Sequence, residues 1–534
     1  MNTGGAEKSI DTESMSSTSS TADLSEVRGS ESRTPRQTQS ALPIVPHYQS
    51  NLDQACRSRI EAVSEKLKRE EPDLAKTLPF GDQVRSGLRP YPSIVLEDHS
   101  SITLYETDGD APYSYRACLL AGENDAVVVG IKRCPAFEDY CRQTLDLGEF
   151  DILSAPPGKH GQSLSIRCAR DPHFVMRAGE KAQRFGGLNV VPYMGTGGAW
   201  HLAGCIARAS GVIVTVAAPP PRLTQRVNDK IWFSRCVKEL LGYRAQPQTF
   251  AAYGLAAVLM EVSLLAQHNA DVAVKLPSSA SSSGNVVIKT AELRQLAVRD
   301  QKQRLDSVLK ATGWRGDYPL LVSTWESPLL ASPSVQLWVP DPDDGDVAVE
   351  GIFDQALTGP RLEFCGATPT CLPRTLQERL VNEAAALGLL FQRLGYFGRC
   401  SFDSIVVGSR ETNAEVHWVE CNGRWGGTSI PMTLANRLVN DWVKVPLAIC
   451  ERRDDRAPTW PFDVFLREVE AHLFRKDGLS VGAVILSPSR IESGAGYEVL
   501  VFGRDSDDLH ARVRSLSEIF RARSASPGQV VVHP

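Results

Sequence analysis

The stretch VHWVECNGRWGGTSIP, residues 416–431, decides how the chain is read. Glu420, Asn422 and Arg424 recur at every second position between an apolar run and the Gly426–Gly427 pair. Alternate residues of an extended strand share a face, so an acid, an amide and a guanidinium are expected to project together. Val416, Trp418 and Val419 supply the strand's apolar anchor. A carboxylate and an amide oxygen are hard donors suited to Mg2+. An arginine one step further on can clamp a phosphate or a developing oxyanion. Taken alone, the stretch reads more simply as a polar strand end beside a glycine turn.

Its surroundings change that balance. LGYFGRCSFDSIVV (394–407) places Asp403 where a turn opens into an apolar strand. A hairpin pairing 402–407 with 416–422 would bring Asp403 beside Glu420 and Asn422. Two carboxylates and an amide oxygen could then hold one or two Mg2+ ions, with nucleotide phosphates completing the shell. The plain alternative is a turn residue at the hairpin terminus.

Further upstream, DVAVKLPSSASSSGNVVI (271–288) has two strands around a loop of small residues, with Lys275 closing the first strand. Backbone N–H groups at Ser281, Ser282, Ser283 and Gly284 can approach phosphate oxygens closely, and lysine adds a point charge. The pattern is not a Walker loop, because G-x-x-x-x-G-K-[ST] occurs nowhere in the chain. Its bland counterpart is a flexible surface hairpin. Lys230, in RVNDKIWFSRCVKELLG (226–242), opens a helix behind the candidate caps Asn228 and Asp229. A cation at that end opposes the helix dipole, although exposed lysines are common. GTGGAW (195–200) follows a strand and opens a helix, but Trp200 stands where a dinucleotide fingerprint has its third glycine. A structural turn is expected there, and an NAD-dependent oxidoreductase would rest on two glycines alone.

The 534 residues carry 58 Lys and Arg against 63 Asp and Glu, a net charge of −5, so no basic field draws the chain to nucleic acid or anionic lipid. Twelve scattered cysteines without a C-x-x-C pair argue for reduced thiols rather than a zinc ribbon or a disulfide framework. The N-terminus lacks an apolar signal core. The most apolar long run, 250–266, is too short for a bilayer and contains Glu261. A soluble, cytoplasmic protein is expected, and a homodimer is left open.

Composition divides the chain into a Ser/Thr-rich tail over 1–42, expected to be disordered, and an α+β region over 43–145 that opens with a helical pattern at 51–70. The run from 150 to 221 alternates strand, glycine turn, helix and strand, a βαβ pattern that implies a parallel sheet. A long central region runs to about 445, and 446–534 reads as a small α+β domain.

The order Lys230, Lys275 with its small-residue loop, Asp403, then E-x-N-x-R resembles the ATP-grasp superfamily. The resemblance spans about 228–435 and is compound. Within that superfamily the chain is similar to the pheganomycin-type peptide ligases, which carry a pre-ATP-grasp domain ahead of the catalytic core. It implies a multidomain α+β and α/β chain with a Rossmann-like pre-ATP-grasp domain at 146–227, an ATP-grasp domain at 228–445 and a C-terminal domain at 446–534. It further implies ATP held by Lys230, Lys275, the loop 281–284 and an adenine hinge near Trp325 and Glu326. Asp403, Glu420 and Asn422 would hold Mg2+, with Mn2+ as an alternative, and Arg424 would face the reacting group. The implied reaction joins a small carboxylate, such as an amino acid or peptide, to an amine acceptor through an acyl phosphate. The competing expectations are an ATP-grasp carboxylase, another ligase with a non-amine acceptor, and a non-catalytic nucleotide-binding module.

Overall fold

The computed structural model describes residues 42–102, 113–158, 161–268, 271–277, 285–358, 363–439, 441–453, 459–476 and 480–524. The strands among them form three sheets.

The first is a six-stranded, all-parallel sheet. Its order is Val84–Ser86, Val214–Val216, Leu188–Pro192, Ser93–Leu96, Ala126–Val129 and Asp151–Ser154. The central strands SIVL and AVVV are buried along their whole length, as expected when helices cover both faces of a parallel sheet. The helices Pro172–Phe185 and Gly197–Ser210 pack into the same core, with Trp200 fully buried. The GTGGAW turn is structural. Thr196 caps the helix through Ala199 N, Trp200 Nε1 donates to Pro219 O at 3.0 Å, and a Cβ on Gly195 would stand 2.4 Å from that carbonyl oxygen.

The expected boundary at 145/146 cuts this sheet, because the strands at 84–86, 93–96 and 126–129 lie on one side of it and the other three follow. Parallel pairing joins strands that are distant in sequence, so a composition shift does not mark the unit's edge. The helix Gln54–Glu70, grouped by sequence with that region, packs elsewhere. Its Ile60, Val63 and Leu67 share a core with the helices Lys230–Leu241 and Arg374–Arg393.

The second sheet is antiparallel, in the order Thr249–Ala252, Leu320–Thr324, Asp271–Lys275, Asn285–Lys289. With the helices Leu255–Leu265 and Val298–Lys310 it closes a small core of its own.

The third sheet has nine strands among the described residues. Its spine runs Leu329–Ala331, Gly398–Val407, Pro333–Val339, Ala348–Thr358, Glu363–Pro369, Leu447–Arg453, Gly496–Phe502 and Gly482–Ile485. Glu415–Asn422 pairs with Gly398–Val407 off that path. The boundary expected at 445/446 therefore falls inside a sheet as well. The strand Leu447–Arg453 pairs with Glu363–Pro369 through Gly366↔Cys450 and Ala367↔Ile449, so the C-terminal strands extend the central sheet.

A buried ion pair pins the middle of this sheet. Arg399 donates to Glu350 and, through Nη2, to Thr433 Oγ1 at 3.2 Å, while Glu350 Oε1 accepts from Val45 N at 3.1 Å. Both side chains are essentially excluded from solvent. Removing one partner strands the other charge in low dielectric, which costs about 3–5 kcal/mol. Glu350→Ala is thus expected to lower the urea midpoint by that equivalent. A loss under 1 kcal/mol would show that the pair does not hold the sheet.

Candidate active site

The hairpin predicted between Asp403 and Glu420 forms, with the two residues directly opposite each other and Ser401 opposite Asn422. One feature was not foreseen. The register jumps from Asp403↔Glu420 to Ser404↔Trp418, which leaves Val419 as an extra residue, a β-bulge. Its effect follows from the two-residue period of a strand. Val416 and Trp418 point into the apolar core, and beyond the bulge the core position passes to Cys421. Without the bulge, Glu420 would share a face with Trp418. With it, Glu420 and Asn422 face away from that core.

Asp403, Glu420, Asn422 and Arg424 line one cavity of about 130 Å3, together with Ser334, Gln336 and Gln355 from neighbouring strands. Ser334 Oγ donates to Asp403 Oδ1 at 2.6 Å, and Asn422 Nδ2 donates to Asp403 Oδ2 at 3.0 Å. The Asn422 amide is thus oriented by Asp403. Burial, then the charge of Glu420, pushes the Asp403 carboxyl up to about 6. Glu420 is moved the other way. Burial opposes its ionisation, but Lys230, Arg424 and Lys275 together hold its carboxyl below the ordinary value. Two neighbouring carboxylates with opposite shifts are characteristic of functional sites.

Lys230 opens the helix Lys230–Leu241 behind the N-cap Asp229, whose carboxylate accepts from Ile231 N and Trp232 N. Its ammonium is buried and lies 2.9 Å from Glu420 Oε2, which accounts for a cation at an end of the helix that disfavours one. Its backbone N–H donates to Pro277 O at 3.1 Å and so ties the helix start to the segment after Lys275. Lys275 ends its strand half-buried, with its backbone paired opposite Leu321 and Asn285. Burial lowers its ammonium to about 8; the Glu420 and Glu326 carboxylates oppose that shift and Lys230 adds to it. The structure therefore brings Lys230, Lys275, Asp403, Glu420, Asn422 and Arg424 into one electrostatic neighbourhood. Ser281, Ser282, Ser283 and Gly284 lie outside the described residues.

The hinge candidates are placed differently. Trp325 follows the strand Leu320–Thr324, half-buried, and its N–H donates to Asp271 O at 3.2 Å. Glu326 is paired with His417 Nδ1 at 2.6 Å and faces a separate cleft of about 790 Å3 that also contains Phe250, Leu321 and Glu415. Burial disfavours the imidazolium of His417, but the Glu326 and Glu415 carboxylates outweigh it and raise the imidazole above its ordinary value.

Sequence reading missed two residues that shape the pocket. Asn228, read as a cap, is a clamp. Its Oδ1 accepts from Gly423 N at 3.1 Å and Arg424 Nη1 at 2.7 Å, while its Nδ2 donates to Thr224 O at 2.7 Å. Gly423 has to be glycine, because a Cβ there would stand 2.4 Å from Val227 Cγ2. Trp425 is buried, donates its backbone N–H to Tyr193 O at 3.0 Å, and lines the cavity. Its indole N–H finds no acceptor among the described residues, a rare condition for a buried donor.

No described group of three or more His, Cys, Asp and Glu side chains is placed to hold a metal. The pocket instead offers two carboxylates and an amide. That donor set fits an ion such as Mg2+, which binds through few protein oxygens and fills its shell with water and phosphate.

Residues 114–212, which lie within the parallel-sheet unit, match the family described as Pre ATP-grasp domain. The match begins 32 residues ahead of the boundary expected at 146, in line with the strand pairing across it. The chain is a mixed α/β multidomain protein that carries a pre-ATP-grasp domain. No curated protein matches its sequence. Among solved structures it is similar to an N5-carboxyaminoimidazole ribonucleotide synthetase in complex with ADP, with 10% identity and a TM-score of 0.49 over 82% of this chain and 99% of that one. Biotin carboxylase from Campylobacter jejuni, in a β-γ-ATP complex, gives 13% identity and a TM-score of 0.49 over 82% and 95%. D-alanyl-alanine synthetase A from Vibrio cholerae gives 12% and 0.40 over 66% and 95%. No described helix is long and apolar enough to cross a membrane.

The depressed ammonium of Lys275 has a chemical signature. At pH 8 about half of it is the neutral amine, against about 1 in 250 for an exposed lysine. Lys275 is expected to be the first lysine acetylated by limiting acetic anhydride at pH 8, as read by peptide mass spectrometry, ahead of exposed Lys302. Equal labelling would show that the ammonium is not depressed.

Proposed function

We propose that the chain is an ATP-dependent carboxylate–amine ligase of the ATP-grasp type. The observation that carries this reading is a pocket lined by an arginine, two carboxylates and an amide, with Lys230 2.9 Å from Glu420 and Lys275 within electrostatic reach of the same carboxylate. Lys230 and Lys275 come to Glu420 from two different elements, the helix Lys230–Leu241 and the strand Asp271–Lys275. Such a floor suits the transfer of a highly charged phosphoryl group, where positioning and charge stabilisation supply most of the rate.

In this reading Lys275 and Lys230 bind the ATP phosphates. Asp403, Glu420 and Asn422 hold Mg2+, which when bound neutralises phosphate charge. A substrate carboxylate oxygen attacks the γ-phosphorus, the bond to the β-phosphate oxygen breaks, and ADP leaves with that electron pair. Arg424, oriented by Asn228, faces the charge that develops on the transferred group. Amine nitrogen then attacks the acyl carbon, its C–O bond to phosphate breaks, and the amine proton leaves with the departing phosphate. No serine or cysteine nucleophile takes part. Trp425 supplies a further donor at the same end, through the indole N–H that lacks an internal acceptor.

Product analysis separates this reaction from an ATP-dependent carboxylation or transfer to a non-amine acceptor, since only the ligase yields an amide. Glu420→Ala and Asn422→Ala should each reduce Mg2+-dependent ADP release by at least about a hundredfold while the fold, read by circular dichroism, persists; Glu420→Ala should also lower the melt, because it leaves the buried Lys230 ammonium without its partner. Normal turnover in both variants would remove the metal assignment. Lys275→Ala should weaken ATP binding by about tenfold or more, close to 1.4 kcal/mol by calorimetry. Unchanged affinity would remove Lys275 from the site.

A further inference from the structure

The small antiparallel sheet is a body of its own. Its strands and the helices Leu255–Leu265 and Val298–Lys310 enclose a separate core, and Lys275 stands at the end of one of its strands. A cleft of about 790 Å3 lies between this body and the helix Lys230–Leu241 with the strand Glu415–Asn422. Phe250 and Leu321 line it from the small sheet, Ile231 and His417 from across. An ion pair bridges the cleft where the chain leaves the small sheet for the central one, two residues past the strand Leu320–Thr324. There His417 Nδ1 lies 2.6 Å from Glu326 Oε2, while Nε2 lies 3.4 Å from Glu415 Oε2. The His417 and Glu326 side chains are only 9% and 17% exposed, so the screening that weakens a surface pair is reduced.

Both ends of this bridge lead to the candidate active site. On one side, His417 and Glu420 belong to the same strand, three residues apart. His417 alternates with the core residues Val416 and Trp418, and the bulge at Val419 turns Glu420 to the same side as His417. On the other side, the strand that runs out to Glu326 pairs directly with the strand of Lys275, in the register Leu321↔Lys275 and Thr324↔Val272. The Glu326 carboxylate also acts on the Lys275 ammonium through space. One strand thus holds the small sheet by His417 and presents Glu420, the carboxylate within electrostatic reach of that sheet's lysine.

Resting on the ligase reading above, we propose that His417 is a positioning residue for Lys275: by gripping Glu326 it sets the small sheet at the opening in which Lys275 reaches the nucleotide phosphates. It touches no reacting atom. The charged groups that line the cleft around it are Glu326, Glu415, Arg235, Lys238, Glu239 and Arg244, and Ile405 stands opposite it in the strand pair. Arg235 is engaged by Glu70 and Glu239, and Lys238 lies over the Tyr243 ring at 4.2 Å. The two near carboxylates prevail over burial and hold the imidazole above its ordinary value of 6.5. The ion pair is therefore complete below that value and is lost as the pH rises through the raised one, where a single hydrogen bond to Glu326 is left.

The test follows the imidazole itself, by NMR of the full chain labelled with carbon-13 at the histidine Cε1. The His417 resonance is identified by its loss in His417→Gln. The probes are Mg2+–ADP and Mg2+–tripolyphosphate, of which the second has no base that could touch Glu326. Each should raise the His417 midpoint by about half a pH unit or more, because placing Lys275 on phosphate tightens the pair and linkage is reciprocal. In return, wild-type affinity for each probe should exceed that of His417→Gln by about threefold below pH 6.5. That gap should close as the imidazole loses its proton, since the glutamine amide keeps one hydrogen bond to Glu326. Deprotonation of Lys275 is common to both proteins and cancels in the comparison. In Glu326→Gln neither probe should move the midpoint. A midpoint that neither probe moves in wild type, one that only ADP moves, one that still moves in Glu326→Gln, or a gap that is the same at every pH would each overturn the inference. Failure of Mg2+–ADP to bind at all would bring down the ligase reading and this inference with it; binding that leaves the midpoint in place would remove the inference alone.

Discussion

One extra residue sets the site. Val419 slips the strand Glu415–Asn422 by a single position against its partner, and the facing of every later side chain depends on that slip. Strand periodicity cannot itself put Trp418 in the core and Glu420 in a polar pocket, because the two lie on the same face of an unbroken strand. The bulge lets a single short segment serve both purposes. Trp418 stays locked in the apolar core, its indole bonded to Glu383 at 2.7 Å, and the next polar residue turns the other way.

Once Glu420 points away from the core, its charge must be answered. Lys230 does so directly, Arg424 and Lys275 from further off, and Asp403 opposite it retains its proton more readily in consequence. The clamp at Asn228 belongs to the same arrangement. By bonding to both Gly423 and Arg424 it fixes the strand end against the turn that precedes Lys230. Groups from three sequence regions are thereby fixed relative to one another before any substrate arrives, which limits the reorganisation that catalysis would require.

Much of this was legible in the sequence and some was not. The pairing of Asp403 with Glu420 followed from hairpin logic, and the two lysines from their position before a helix and at a strand end. The bulge left no mark, since VHWVECN alternates acceptably in either register. Asn228 looked like a cap because the caps and clamps of a turn use the same residue types. Domain edges were misplaced for a different reason. Composition reports local preference, whereas both misplaced edges lie within sheets closed by strands far apart in sequence. Trp425 carried no local signal at all; only the fold reveals a buried indole donor left over in the pocket.

The late arrival of the strands at 447–453 and 496–502 in the central sheet has a consequence for biogenesis. A chain emerges from the ribosome amino terminus first, at about 5–20 residues per second. Asp403, Glu420 and both lysines therefore emerge while the edge at Glu363–Pro369 still awaits its neighbour. For several seconds the nascent protein holds the hairpin side of the pocket without Glu451 and Arg453, and an exposed strand edge invites mispairing in that interval. The last sixth of the 534 residues thus closes the sheet and supplies Glu451 and Arg453 to the pocket.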